Sequence, residues 1–257
     1  MSDPITDWLK RALLEVQEYV RLCLATARGA VTRPFYYHDL IEQLDQIGVG
    51  SLTVVLLTGL FTGAVLALQS GITLDQFGAR SEVGRLVGAS MLKELGPVLT
   101  ALMVSGRVGS GIAAELGSMV VTEQINALRA LGTDPVRKLV VPRVLAGLIM
   151  VPILTTIANT VGMTGAWAIA VGQLRIASSV YWNSVWYGLY MEDVWMALVK
   201  PFFLGFVVVT IGCHVGLRAT GGTQGVGRAT TNAVVASSVA VLAVDFFVTK
   251  LLIALLY

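Results

Sequence analysis

Charge is scarce in this chain of 257 residues: Asp, Glu, Lys and Arg make up only 13% of it, against 55% for the apolar types. A soluble domain carries about a quarter charged residues, so too little polar surface is present to cover a water-facing globule. Cysteine is nearly absent. Cys23 and Cys213 are the only two, and the topology argued below puts both on or near the cytoplasmic side, where a disulfide is not expected. His38 and His214 are lone residues, and no Cys/His cluster has metal-ligand spacing, so no metal site is expected. No continuous apolar run follows the first basic residues, so a signal peptide is not expected. The net charge of +2 is too small to suggest a nucleic-acid partner.

Long uncharged stretches are what the chain has instead. A bilayer core needs about 20 apolar residues. Gln46 to Leu74 contains no charge, and a first span is expected near Val49–Leu68. The second runs from about Leu86 to Glu115, interrupted by Lys93, Glu94 and Arg107. Val144 to Leu174 gives a third, Trp195 to Leu217 a fourth with Lys200 and Pro201 at its entrance, and Thr230 to Leu256 a fifth carrying Asp245 and Lys250. The expectation is an all-α integral membrane protein with one domain over 1–257. Residues 1–47 form an interfacial N-terminal helix region and residues 48–257 a transmembrane bundle.

In the N-terminal region Ser2-Asp3-Pro4 reads as a helix start. Ile5, Trp8, Leu9, Ala12, Leu13, Val16, Val20 and Leu24 then recur at helical spacing, with Asp7, Lys10, Arg11, Glu18 and Arg21 on much of the other side. Such a helix suits the membrane interface. Orientation follows from Lys and Arg. With the N-terminus in the cytoplasm, the inner segments hold Arg21, Arg28, Arg129, Arg137, Lys138, Arg143, Arg218 and Arg228 among eleven cations. The outer ones hold five: Arg80, Arg85, Arg175, Lys200 and Lys250. Five spans then put the C-terminus outside. Trp182, Trp186, Tyr187 and Tyr190 suit a short segment at the outer interface. Gly59/Gly63, Gly84/Gly88 and Gly212/Gly216 have the spacing of close helix contacts, within one chain or between two.

Between spans two and three, Thr122 can cap a short helix that starts with Glu123. Gly132 can end it, and Asp134-Pro135 enforces a turn. Ile125, Leu128 and Leu131 share one face. A rigid helix of about ten residues held there suits docking in a partner's groove, and equally a helix lying on the lipid surface. Near the C-terminal side, Gly222-Thr223-Gln224-Gly225-Val226-Gly227-Arg228-Ala229 mimics a Walker A spacing. Arg and Ala stand where Lys and Ser/Thr belong, and no βαβ context surrounds them. It reads as a flexible cytoplasmic turn, so any ATP dependence would have to come from another chain.

Several of these segments carry a resemblance. Lys93-Glu94-Leu95-Gly96-Pro97, Gly106-Arg107-Val108-Gly109-Ser110, Ala114-Glu115-Leu116-Gly117 followed by Glu123-Gln124, Ala127-Leu128 and Asp134-Pro135, Val141-Pro142-Arg143, Gly225 to Thr231 and Asp245-Phe246 together look like the MlaE family of ABC-transporter permeases. The match covers about residue 35 to the C-terminus. Lys93 departs from the Arg found there in some members, keeping the cation without its bidentate fork.

The resemblance implies a homodimer with five spans per chain and phospholipid-like cargo. It implies a coupling helix at about Thr122–Leu131 on a separate ABC ATPase subunit, with Glu123, Gln124, Ala127, Leu128, Arg129, Asp134 and Pro135 as its contacts. ATP and Mg are then used by that partner, and this chain binds no cofactor. A periplasmic MCE-domain lipid-binding protein and often a small STAS-domain protein complete the implied assembly, in a bacterial inner membrane.

Ionisable groups at membrane depth cost at least about 2.5–3.5 kcal/mol and need partners or a cavity. Lys93 and Glu94 point apart on a helix, and Glu94 is expected to border a lipid cavity. Arg107 and Glu115 lie two turns apart on one face. Arg107, Glu115, Arg143, Arg228 and Asp245, with Lys93, are expected as structural buried charges, Asp245 having only Lys250 within reach on its own span. By the resemblance, a lipid cavity opens at the outer end of span one, with Leu66, Gln69, Thr73, Phe77 and Leu95 as wall candidates beside Glu94. Two other classes compete. An ion-coupled carrier would use Lys93, Glu94, Arg107 and Asp245 as a relay, but such carriers commonly show an internal repeat and none is seen. An intramembrane enzyme lacks a nucleophile motif near either His.

Overall fold

The computed structural model describes residues 4–32 and 35–256. Eight helices order these residues, with no strand among them. They are α1 (Pro4–Val31), α2 (Tyr37–Asp75), α3 (Arg80–Val121), α4 (Gln124–Ala130), α5 (Val136–Gly172), α6 (Ser178–Gly188), α7 (Met191–Gly216) and α8 (Gly222–Leu256). Helices α2, α3, α5, α7 and α8 are long and apolar enough to cross a membrane, so the five expected spans are all present. Each is longer than its charge-free stretch, because polar residues continue the helices past the hydrocarbon. The Ser2-Asp3 cap and Arg33 lie outside the described residues, as do the side chains of Ile5, Asp7, Trp8, Leu9, Arg11 and Ala12.

Helix α3 is the centre of the bundle, touching α2, α5, α7 and α8, while α2 packs most extensively along α5. The glycine spacings serve contacts inside one chain. A Cβ at Gly59 would sit 2.7 Å from the Ala158 carbonyl oxygen, and one at Gly63 would run into the Gly162 carbonyl. One at Gly212 would lie 3.0 Å from the Gly109 oxygen. In lipid, where burial of apolar surface gives no drive between helices, such backbone contact supplies the cohesion. The outer faces of α2 and α8 stay uncovered, with Phe61, Val65, Val239 and Phe246 exposed along them.

Four π-helical turns interrupt the spans, at Asp45–Val49, Met91–Leu95, Ser105–Gly109 and Val136–Val140. Two of them carry ionisable groups from the middle of α3: Lys93 and Glu94 on one, Arg107 on the other. Such single-turn bulges re-aim side chains and occur often at functional sites.

At one end of the bundle lies α1, with α4 and the α7–α8 loop. Tyr19, Leu22, Thr26 and Gly29 turn one stripe of α1 toward the protein, its Tyr19 hydroxyl 2.7 Å from that of Thr210. Leu13, Val16, Val20 and Leu24 face outward. An apolar outward stripe on a charged helix fits a lipid interface. At the far end α6 is anchored by buried Tyr181, whose hydroxyl donates to the Met163 carbonyl at 2.9 Å. Trp186, Tyr187 and Tyr190 remain exposed, as an aromatic interfacial segment requires.

Two expectations need correction. Gly222 to Ala229 is no flexible turn but the opening of α8. The loop reverses just before it, where Gly221 and Gly222 take φ of +92° and +66°. Lys200 does not mark an outer entrance either: it lies inside α7 with no exposed surface. Its removal from the far-end tally sharpens the charge asymmetry between the two ends.

Candidate functional site

A charged network joins three helices toward the far end. Lys200 Nζ of α7 lies 2.7 Å from Glu94 Oε2 of α3 and 3.2 Å from Asp245 Oδ1 of α8. It also donates to the backbone carbonyl of Lys93 at 2.6 Å. Lys93 Nζ reaches across to Asp193 Oδ1 at 2.8 Å. Asp193 is fully buried at the start of α7, where its other oxygen accepts the Tyr190 N–H at 3.2 Å. Thr249 of α8 donates to Glu94 Oε1 at 3.5 Å. Three carboxylates thus share two ammonium groups. Asp245 is 13% exposed and Glu94 44%, so Glu94 is the member open to the surroundings.

Next to this network an apolar groove of about 510 Å³ runs between α2 and α3, lined by Phe61, Thr62, Val65, Leu66, Gln69 and Leu95. Leu95 follows Glu94 on the same π turn. Apolar walls with few polar groups are the composition of a lipid or small-molecule site. Of the residues named from the sequence, Leu66, Gln69 and Leu95 line this groove and Glu94 does not. Thr73 stands one turn beyond Gln69, its hydroxyl turned back onto the Gln69 carbonyl at 3.0 Å. Phe77 is exposed past the end of α2. Neither lines the groove.

The remaining ionisable groups lie nearer the α1 end. Arg107 and Glu115 do not meet. Arg107 Nη1 donates to Ser51 Oγ of α2 at 3.1 Å, and a Cβ at Gly50 would come 2.6 Å from its guanidinium nitrogens. Glu115 pairs with Arg143 Nη2 at 2.6 Å, and Arg143 Nη1 donates to the Leu139 carbonyl at 2.6 Å. Arg143 is buried as expected, whereas Arg107, Glu115 and Arg228 are exposed and Lys93 is half-buried. Among the described residues no group of three His, Cys, Asp or Glu side chains is placed to hold a metal ion.

Between α3 and α5 the expected short helix is present as α4, with different chemistry at its start. Thr122 does not cap it. Its hydroxyl bonds back to the Ser118 carbonyl at 2.8 Å and closes α3. Glu123 takes the capping position with φ +61°, and its carboxylate accepts from Asn126 Nδ2. The other end is as read: Gly132 has φ +74°, its N–H donates to the Arg129 carbonyl, and Thr133 N–H donates to that of Leu128, both at 3.0 Å. That is a Schellman closure. Asp134 Oδ1 accepts the Val136 N–H at 2.9 Å, so Asp134-Pro135 caps α5 as well as turning the chain.

The face of α4 is split. Ile125 is 5% exposed within the main core and Leu128 packs against that core, while Leu131 is 81% exposed. Glu123, Gln124, Ala127, Arg129 and Asp134 are exposed, and Pro135 is buried. The helix is therefore fixed to the bundle by one side and presents the other outward.

Lys200, Asp193 and Thr249 went unassigned in the sequence because each lies on a helix remote from Lys93 and Glu94. Asp193 carried one signal, its place in the first turn of a helix, where carboxylates are favoured.

Comparison with known proteins follows from these features. The family described as Permease MlaE matches residues 40–251. A probable ABC transporter permease protein of Rickettsia bellii is 44% identical over 228 residues, covering 89% of this chain and 88% of its own. One of Synechocystis sp. is 38% identical over 245 residues, covering 95% and 92%. The intermembrane phospholipid transport system permease protein MlaE of Haemophilus influenzae is 36% identical over 214 residues, covering 83% and 82%. The network, the groove and the capped short helix all fall inside the matched stretch, and the chain belongs to the MlaE permease family.

Proposed function

We propose that this chain is the transmembrane subunit of an ATP-driven transporter that moves phospholipid between the inner membrane and a periplasmic MCE-domain lipid-binding protein. The groove of Phe61, Val65, Leu66, Gln69 and Leu95 carries the reading. It is apolar along its walls, with Thr62 and Gln69 as its polar lining. Apolar walls suit acyl chains, and a few polar groups among them suit an amphiphile. The printed role of the Haemophilus relative supports phospholipid as the cargo.

The chain acts as a non-catalytic subunit and binds no cofactor, with ATP and Mg used by a separate ABC ATPase. The outward residues of α4, namely Glu123, Gln124, Ala127 and Arg129, form the contact with it, and Asp134 fixes the angle at which α5 leaves. Leu128 and Pro135 hold that platform from beneath. Two copies pair through the uncovered faces of α2 and α8, with the grooves opening at their junction. A small STAS-domain protein accompanies the ATPase. The α1 end and the N-terminus face the cytoplasm and the C-terminus the periplasm, a reading supported by the concentration of Arg and Lys at the α1 end.

The test is lipid movement in proteoliposomes holding the chain with its ATPase. ATP should drive movement, and Leu66→Trp with Leu95→Trp, which fill the groove, should cut it by about tenfold while leaving ATPase binding intact. The buried Lys–Asp–Glu network gives some support to an ion-coupled carrier instead. Transport by the chain alone on an ion gradient would sink the ATP-driven reading in its favour.

A further inference from the structure

A second cavity lies at the opposite end of the bundle from the groove. It measures about 550 Å³ and opens between α1, the end of α7 and the start of α8, with Glu15, His214, Arg218, Thr220, Arg228 and Asn232 as its polar lining. We propose that it holds the headgroup of a resident glycerophospholipid carrying both a phosphodiester and a primary amine, drawn from the leaflet on the α1 side.

The charges in the cavity select the ligand. Arg218 is engaged by Glu18 at 3.1 Å. Arg228 and Glu15 make no ion pair or side-chain hydrogen bond with any described residue. Among the described residues, then, a guanidinium and a carboxylate that are in no ion pair face the same space, beside His214, on which the Glu15 charge acts. A guanidinium binds a phosphate with a planar fork of donors, and a carboxylate accepts from an ammonium. A lone phosphate or a purely anionic headgroup would leave Glu15 opposing it. A choline headgroup has no N–H to give Glu15. A headgroup with phosphodiester and primary amine answers both.

The backbone is shaped to leave Arg228 available. The glycine-rich segment Gly221 to Gly227 folds the α7–α8 loop against the first turn of α8. A Cβ at Gly225 would collide with the Thr220 carbonyl, and Gly221 takes φ +92°. Arg228 Nη2 lies 3.1 Å from where a Cβ on Gly221 would stand, so the guanidinium lies over the loop rather than against a carboxylate. The segment whose spacing mimics a nucleotide loop therefore serves phosphate through a side chain.

Depth points to lipid as the source. The cavity sits where α7 ends at Gly216 and α8 begins at Gly222, beside α1 with its outward Leu13, Val16 and Val20. Basic pockets between spans at headgroup depth are known lipid sites.

The full-length chain, reconstituted in nanodiscs of phosphatidylethanolamine, phosphatidylglycerol or phosphatidylcholine, is then delipidated in mild detergent and its retained lipid counted by native mass spectrometry. Preferential retention of phosphatidylethanolamine is expected, reduced about tenfold by Arg228→Ala and by Glu15→Gln, with Arg228→Lys keeping part of it. Lipid held in the groove, which neither Arg228 nor Glu15 lines, should survive both substitutions, which separates the two sites. Equal retention of all three lipids, or retention insensitive to Glu15→Gln and Arg228→Lys, would overturn the proposal. So would displacement of the lipid by millimolar inorganic phosphate, which would mark a free-anion site. Loss of the partner ATPase from these variants with lipid retention intact would assign the surface to that protein and overturn it as well.

Discussion

Lys200 donates to the backbone carbonyl of Lys93 at 2.6 Å, a carbonyl whose α-helical donor would be Pro97, a residue with no N–H. The vacancy in the ladder of α3 is filled by a side chain from α7. With a second hydrogen bond to Glu94 at 2.7 Å and an ion pair with Asp245 at 3.2 Å, the ammonium is engaged by both α3 and α8. One fully buried cation thereby locks α3, α7 and α8 at a single depth.

Lys200→Met removes that lock and leaves the carboxylates of Glu94 and Asp245 facing each other. Breaking one side of a buried pair costs about 3–5 kcal/mol. Thermal unfolding in detergent should show a large loss, and adding Asp245→Asn should recover part of it. A single variant as stable as the wild type would show that the network carries no structural weight.

Gly63 and Gly106 form a matched pair of sites. A Cβ at Gly63 strikes the Gly162 carbonyl, while nothing lies within 4 Å of one at Gly106. Gly63→Ala should cost about 1–3 kcal/mol through separation of α2 from α5. Gly106→Ala should be neutral in the isolated chain. Cysteine crosslinking between α2 and α5 reads the first effect, and detergent stability compares the two.

For α4, charge reversal at Glu123 and Arg129 should weaken stimulation of the ATPase without loss of helix content. Leu128→Asp should instead lower the stability of the chain, because Leu128 packs on the core. Gly132→Val forces a β-branched residue to φ +74° at a cost of about 1–2 kcal/mol, and should uncouple the ATPase by fraying the helix end. Circular dichroism and ATPase assays on the reconstituted complex separate these outcomes.

Tyr19 ties α1 to the bundle, and burial pushes its phenol up from 10.0 to about 12, the Thr210 contact offsetting only part of this. Since the folded value lies above the unfolded one, attachment of α1 is intact below pH 10 and weakens as pH rises toward 12. Tyrosinate absorbance of the wild type minus that of Tyr19→Phe should show a single group titrating near the upper value. A difference curve centred on the ordinary tyrosine range would mean that α1 is not docked.

Span number, the interfacial helix and the Gly132 closure were readable because each depends on residues close together in sequence. Hydropathy marks a span, and a glycine before Asp-Pro marks a helix end. The pairing of Lys93 with Asp193, and of Lys200 with Asp245, depends on how α3, α7 and α8 lie against each other. Charge spacing carries no record of that. The π turn at Met91–Leu95 hid the geometry further, because it shifts the face to which Lys93 and Glu94 point relative to any α-helical count. The groove was half readable: Leu66, Gln69 and Leu95 share a wall, while Phe61, Thr62 and Val65 were indistinguishable from lipid-facing residues of the same span. Thr122 misled because a hydroxyl before a helix can close the preceding helix as well as open the next.

Helix α8 also works as a ruler. Arg228 and Lys250 stand twenty-two residues apart on it, or about 33 Å along the axis at the α-helical rise. That is close to the hydrocarbon thickness of about 30 Å in an ordinary bilayer. The two cations bracket the oily layer, and a much thicker membrane would draw one of them below the headgroups or stand the helix more upright. The chain is thereby matched to bilayers of one thickness, independently of any partner that it meets on either face.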